Sequence, residues 1–510
     1  MKRRGSITVF AALSVMLVAQ LLFTLLEAAR HIEFEKVLQM NTDAVAESAF
    51  ADYCSPLWDT YHLLGMTAAD SSGAFSLANR EAMLRNLTAD NLGSKGSIAQ
   101  LSGISLLSAE MVDLEFKPYL LMTDQNGKVF EESVCAYMKE NLGYEAAKSV
   151  YSMYETAKNT TDTYGDGDES IGDAMDALEE AENEAKDPSA KKLKGTGGGT
   201  SLDSDSADAE EVENPLETVT EARKNGVLSL VLPQNAKVSG NQLDLNKVVS
   251  HRNLQVGTAE TGQSADWYQG VLVNQYYMNY LSCYTSSDGT RGLNYELEYL
   301  IAGKAADSEN LRIVVGELLA MREASNLASL AASPSKQAEA LALATTLAGF
   351  TLNPVIIEVV KWGILAAWAY AESVLDLRAL LSGGKISVVK SELDWTSNVH
   401  DLPALLSGWS VAKNCSTGLN YSQYLSLLLM FHSGDKLAMR AMDVEEATVK
   451  KNAGYETFQM DHVLCESGIC ATYEYSPVFL GFVSLLESKK DCFRIQNMTT
   501  YSYRQGKEGA

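Results

Sequence analysis

Residues 1–40 read MKRRGSITVFAALSVMLVAQLLFTLLEAARHIEFEKVLQM, and the architecture turns on whether this stretch is a discarded leader or a working helix. From Ile7 to Leu26 there are 20 residues without a charge. At a rise of about 1.5 Å per residue such a helix is about 30 Å long, the thickness of a bilayer's hydrocarbon core. A secretory leader has an apolar region of about 7–15 residues and then small residues at a cleavage site, whereas this run passes into Glu27-Ala28-Ala29-Arg30 and further helical pattern. The stretch therefore reads as a retained transmembrane helix over residues 6–26 behind a basic leader, residues 1–5. Lys2, Arg3 and Arg4 hold that leader in the cytoplasm, which puts the large C-terminal part outside. The expected location is the cell membrane, single-pass, with an extracytoplasmic ectodomain and the lipid bilayer as first partner.

The helix continues past the membrane surface. Between Glu27 and Tyr53 there is no glycine or proline. Ile32, Phe34, Val37, Leu38, Val45, Ala49 and Phe50 form an apolar stripe, with Glu33, Glu35, Lys36, Asp43 and Glu47 elsewhere. Residues 27–55 are thus a membrane-proximal amphipathic helix, and Pro56 ends a rod of about 45 residues.

Basic residues, a glycine, a small polar residue and an apolar helix running into an amphipathic one resemble the N-termini of type IV pilins. RRGSITVFAALSVMLVAQLLFTLLEAAR is most similar to TadE/TadG-like, minor pseudopilin-like pilus-assembly proteins of tight-adherence systems, in which a glycine-initiated span ends in an acidic residue, here Glu27. AESAFADYCSPLWDTYHLLGM, ENPLETVTEARKNGVLSLVLP and LNYELEYLIAGKAADSENLR resemble membrane-anchored proteins of an uncharacterised Gram-positive family associated with such loci. The resemblance implies other pilin-like or pilus-assembly proteins as partners, and prepilin peptidase acting at Gly5-Ser6. It departs from the pilin pattern at one position. After cleavage at Gly5 the fifth mature residue is Phe10, where pilins carry a glutamate.

With 41 Lys plus Arg against 66 Asp plus Glu, the net charge is −25, and a polyanion such as nucleic acid would be repelled. From Asp162 to Glu213 there are 17 acidic and 4 basic residues, about half of that net charge. This stretch has little to bury beyond Ile171, Met175 and Leu178, so residues 158–213 read as a disordered acidic linker with a short helix near 170–186. Asp162, Asp166, Asp168 and Glu169 lack the spacing of an EF-hand loop, and GTGGGTS lacks the Lys-Ser/Thr of a phosphate loop.

The linker separates a first extracytoplasmic α+β part, residues 56–157, from a main α+β part, residues 214–510. MVDLEFKPYLLMTD alternates as a strand, QNGK reads as a turn, and the following stretch through Ala157 as a helix. Pro215 starts a helix to Lys224, GVLSLVLP reads as a short strand, and a long helix runs from Ser308 to Ala332. Residues 340–377 hold two apolar halves meeting at Asn353-Pro354. Glu358, Lys361 and Glu372 mark them as buried core helices, since a charge at mid-bilayer costs about 2.5–3.5 kcal/mol. QMDHVLCESGICATYEYSPV reads as a hairpin. The fold class is α+β: a single N-terminal transmembrane helix continuing into a long amphipathic helix, then a mixed α/β extracytoplasmic domain with a disordered acidic insertion.

The seven cysteines are too scattered for a disulfide scaffold, but Cys465 and Cys470 flank ESGI, with Gly468 free to turn, and form a candidate disulfide. No G-x-S-x-G or H-E-x-x-H occurs, and His31, His62, His251, His400, His432 and His462 are dispersed without ligand spacing. No residue reads as catalytic, and no cofactor or metal is expected. The sequence reading is a non-enzymatic, membrane-anchored pilus component acting through helix packing, with Gly5, Ser6 and Glu27 as its marked residues. The alternative is a tethered ligand-binding or envelope-associated module unrelated to pili.

Overall fold

Because no glycine or proline occurs between Ser6 and Phe50, the N-terminal rod forms as one helix, α1 (Arg4–Phe50), of 47 residues. The structure is a computed structural model and describes residues 4–93, 106–139, 144–165, 167–186, 214–260, 266–432, 434–480 and 492–504. Up to Leu26 the described side chains of α1 are exposed or half-exposed. From Glu27 onward one stripe is buried, at Arg30, Phe34, Leu38, Asn41, Thr42, Val45, Ala46, Ala49 and Phe50. That spacing of three and four residues is one face of a helix. Ile32, expected in the stripe, is exposed.

The chain folds into two compact units that interleave in sequence, residues 1–140, 249–264 and 445–510 in the first and residues 141–248 and 265–444 in the second. The first unit holds α2 (Ser55–Tyr61), β1 (Met66–Thr67), α3 (Ala78–Leu92), β2 (Glu110–Leu121), α4 (Asp124–Lys139), β3 (Val463–Tyr475) and β4 (Phe493–Ser502). β3 is the shared strand, pairing antiparallel with β2, with β4 over Glu466–Tyr475 and with β1 at Val463 and Leu464. The buried stripe of α1 lies in one core with Leu84 and Leu92 of α3, Leu114 and Phe116 of β2, and Ile469, Tyr473 and Tyr475 of β3. Helix on sheet is a standard two-layer solution for burying one apolar face of each. Residues 249–264 join this unit through polar ties. Arg252 makes a two-pronged contact with Glu446 (2.7 and 2.7 Å) and bonds Asp461 (2.5 Å), while Asp124 accepts the Gly257 N–H (2.9 Å).

The second unit is built of helices: α5 (Tyr144–Tyr164), α6 (Gly167–Lys186), α7 (Pro215–Lys224), α8 (Val227–Val231), α9 (Trp267–Tyr280), α10 (Glu296–Ala302), α11 (Asp307–Ala332), α12 (Pro334–Ala348), α13 (Pro354–Leu381), α14 (Leu402–Ser407), α15 (Tyr421–Phe431) and α16 (Asp435–Val449), the last passing into the first unit. α13 is the central element, packed by α6, α11 and α12. From Val360 to Leu381 only Trp362 escapes full burial. The expected core helix is thus found from Val360 on, whereas the first turn of α13 is exposed or half-buried, and the charges at Glu358, Lys361, Glu372 and Asp376 are paired. Lys361 bonds Glu358; Lys390 bonds Glu372 and Asp376; and Arg322 donates to Asp376 (2.9 Å). Arg378 donates to the carbonyls of Leu405 (3.0 Å), Leu406 (3.3 Å) and Gly408 (2.9 Å), closing the C-terminus of α14.

Several expectations are corrected. The acidic segment does not divide the chain into residues 56–157 and 214–510, because 141–186 and 214–248 belong to the same unit. The helix expected near 170–186 is present as the 20-residue α6, but it is no part of a linker: it buries Ile171, Ala174, Leu178 and Ala181. These four small or medium apolar side chains belong to a helix that packs against α13. At the contact a Cβ on Gly363 would lie 2.2 Å from Cβ of Ala174. Asp162 and Glu169 sit in the helices α5 and α6. Residues 158–164 of the expected linker close α5, and 187–213 lie outside the described residues. GVLSLVLP contains the short helix α8 rather than a strand.

The expected hairpin at 459–478 is instead the continuous 13-residue strand β3. Gly468 serves close approach, not a turn: a Cβ there would lie 2.7 Å from the Lys117 carbonyl oxygen, at the irregularity of β2 between Phe116 and Tyr119. The candidate disulfide falls with the hairpin. Cys465 and Cys470 lie five residues apart along one extended strand, about 16 Å, far beyond disulfide reach. Both are free thiols: buried Cys465 contacts Met122 (3.5 Å), and Cys470 accepts from Gln496 (2.9 Å). The left-handed residues Gln125, Asn126 and Gly127 do supply the turn expected at QNGK, and β2, α7 and α11 lie where the patterns put them. The class is α+β with an N-terminal apolar helix, as expected.

Candidate functional site

Two features have the composition of working sites, one in each unit. The first is the junction within α1. Gly5 and Ser6 lie in its first helical turns, and the apolar run Ile7–Leu26 is long enough to cross a membrane, with no residue of it buried against the protein. Glu27, the first charge after this run, is 2% exposed. Its Oε1 accepts from Arg30 Nη1 (2.5 Å), and its Oε2 accepts the successive backbone N–H groups of Val478 (3.0 Å), Phe479 (2.7 Å) and Leu480 (3.4 Å). Arg30 in turn donates to the carbonyls of Leu106 (2.7 Å) and Ser476 (3.3 Å) and stacks over the rings of Phe34 and Tyr475 at 5.5 and 5.3 Å. A buried carboxylate is tolerated only when paired and hydrogen-bonded, and this one is both. The sequence marks Glu27 by its place at the end of the run. It gives no sign that the residue clasps a segment some 450 positions away, because that segment carries only backbone donors.

The second feature is a cleft of about 600 Å³ in the helical unit, lined among others by Lys237, Ser239, Tyr284, Thr285, Asn294 and Tyr295. Its floor is organised by Asp307, fully buried, which accepts from Ser239 Oγ (2.6 Å) and from the backbone N–H of Asn294 (3.0 Å) and Tyr295 (3.2 Å). Asn294 Nδ2 donates to Ser239 Oγ (2.9 Å), and the rings of Tyr284 and Tyr295 meet edge to face at 5.5 Å. Behind the wall, fully buried Glu298 accepts the Tyr284 N–H (2.9 Å) and the Tyr421 hydroxyl (2.8 Å). Burial pushes its carboxyl up to about 7 despite those two bonds, and burial together with Glu298 raises the neighbouring Cys283 thiol.

The cleft offers hydroxyls, an amide, two aromatic edges and one ammonium, which is the chemistry of binding a polar ligand. Its residues come from positions 237–239, 284–295 and 381–383. No local pattern joins them, and the sequence reading missed the site. Among the described residues no group of three or more His, Cys, Asp or Glu is placed to hold a metal ion.

No curated protein and no solved structure matches the chain. A family model described as a family of unknown function, DUF5702, matches residues 205–475, from before α7 through the end of β3. That match covers more than half of the 510 residues, and the chain belongs to this family.

Proposed function

We propose that the protein is a membrane-anchored, non-enzymatic structural or assembly component of a Tad or type IV-like pilus, with its N-terminus cytoplasmic and its two compact units extracytoplasmic. The observation that carries the reading is the division of α1 at Glu27, fully unburied apolar helix before it and a buried stripe after it. Small residues at Ala11, Ala12 and Ser14 let another apolar helix approach closely, which is how such a span would join a membrane or pilus core. The resemblance of residues 3–30 to TadE/TadG-like proteins supplies the pilus context.

The test is the N-terminus of the mature chain and its distribution between membranes and sheared surface filaments, read by intact mass and terminal sequencing. A chain beginning at Ser6 in filaments is the outcome expected of a pilus subunit, with the peptidase accepting Phe10. A chain beginning at Met1 and confined to membranes fits an assembly factor. Full function after exchange of Ile7–Leu26 for an unrelated uncharged span would overturn both. That last result would favour a second reading, a tethered polar-ligand-binding module, which the Asp307-organised cleft supports.

A further inference from the structure

The turn between α12 and α13 holds large apolar side chains out of the fold. Phe350 is 50% exposed, Leu352 77% and Val355 67%, and Leu352 sits at a left-handed φ of 54° that few branched residues adopt. Between Glu339 and Glu358 there is no charged residue. The hydroxyls of the tip are closed on its backbone: Thr345, Thr346 and Thr351 donate to the carbonyls of Leu341 (2.7 Å), Ala342 (3.1 Å) and Ala348 (2.7 Å). Asn353 Oδ1 accepts the Val355 N–H (3.0 Å), Thr351 Oγ1 accepts the Asn353 N–H (3.1 Å), and the Leu352 N–H bonds the Gly349 carbonyl (3.1 Å). Such local bonds lower the cost of bringing the turn's hydroxyls and amides into lipid, where nothing replaces water as partner.

Higher on α13 the character changes. Glu358 and Lys361 pair with one another, and the half-buried Trp362 donates its indole N–H to Glu358 (3.2 Å). Trp362 lies seven residues, about 10 Å, along the helix from Val355. An apolar tip of that depth below a tryptophan and a neutralised ion pair matches the order of groups at a membrane interface, where apolar surface enters about 5–10 Å and tryptophan rings sit at headgroup level.

We propose that the α12–α13 tip is a second membrane contact, dipping Phe350, Leu352 and Val355 into the headgroup–acyl boundary of a bilayer. The inference rests on the anchored reading, since the span at Ile7–Leu26 is what tethers the chain to a bilayer. With its one ion pair neutralised and no other charge, the tip selects for apolar depth and not for anionic lipid, so its docking is insensitive to salt.

The experiment uses the full chain reconstituted into phosphatidylcholine vesicles, with a p-benzoylphenylalanine photoprobe placed singly at position 17, 350, 352 or 393, and adducts identified by mass. Position 17 reads the anchor, and position 393, whose leucine is 87% exposed, is the control for chance lipid contact. Expected are phospholipid adducts at 17, 350 and 352, few at 393, and the same yield at about 0.1 and about 1 M salt. Phe350→Ser with Leu352→Ser removes side chains that are half or more exposed, and lowers the lipid adduct of a further probe at 355 by about tenfold or more. Lipid adducts at 17 with none at 350 and 352, adducts there to a second copy of the chain, or equal lipid yield at 393 would each overturn the proposal. Lipid adducts at 350 with none at 17 would overturn the anchor and leave the tip standing.

Discussion

Glu27→Ala is the perturbation that tests the junction most directly. The carboxylate holds three consecutive amides, and the 2.7 Å bond from Phe479 is the shortest of them. A hydrogen bond to a charged group contributes about 1.5–3 kcal/mol, so losing the Phe479 bond alone lowers the local opening free energy enough for a roughly 10- to 150-fold loss of amide protection. The change also strands Arg30, itself 8% exposed, and breaking a buried pair by removing one partner costs about 3–5 kcal/mol. Glu27→Gln keeps an acceptor but loses the charge, and falls between wild type and Glu27→Ala. The assay is hydrogen exchange by mass spectrometry on the full chain in nanodiscs, following peptides that cover 476–480. Protection of Phe479 in Glu27→Ala within about threefold of wild type would refute the reasoning, since the carboxylate would then contribute less than an ordinary neutral hydrogen bond.

Other outcomes follow from the same geometry. Gly363→Ala puts a Cβ 2.2 Å from that of Ala174, and overpacking of this kind costs about 1–3 kcal/mol, read as a lowered melting temperature with faster proteolysis of 167–186; unchanged melting would mean that α6 does not pack there. The carboxyl of Glu298 stands at about 7 in the fold against 4.5 ordinarily, so the folded state binds the extra proton between those values. Its contribution is therefore full below 4.5 and is lost as pH rises through 7, an amount of about 3 kcal/mol. Glu298→Gln flattens this part of the denaturant-midpoint profile between acid and neutral pH, and an unaltered slope would contradict it. Burial pushes the Cys465 thiol up to about 12, so maleimide labels the exposed Cys492 promptly and Cys465 only after unfolding, with no Cys465–Cys470 crosslink on non-reducing peptide maps.

What the sequence determined by itself is the part of the protein whose free energy is a sum over neighbours. The apolar run of α1, the start of α7 at Pro215 and the alternation of β2 are local, and each lies where the sequence reading put it, whereas α1 ends at Phe50, short of the expected residue 55, and Pro56 opens α2 instead of ending the rod. Lys361 and Glu372 of α13 were legible as core for the same reason, because a charge at mid-bilayer is costly whatever the helix's neighbours are.

Tertiary structure decided everything that depends on what lies opposite. α6 has an acidic, linker-like composition, yet Ile171, Ala174 and Leu178 order it because α13 presents a glycine where Ala174 arrives. Gly468 looks like a turn residue until β2 brings the Lys117 carbonyl against it, and the strand then carries Cys465 and Cys470 apart. The partners of Glu27 and the walls of the cleft come from segments with no shared pattern. A buried carboxylate is stabilised by whichever donors the fold brings within 3 Å, and backbone N–H groups are the same in every sequence.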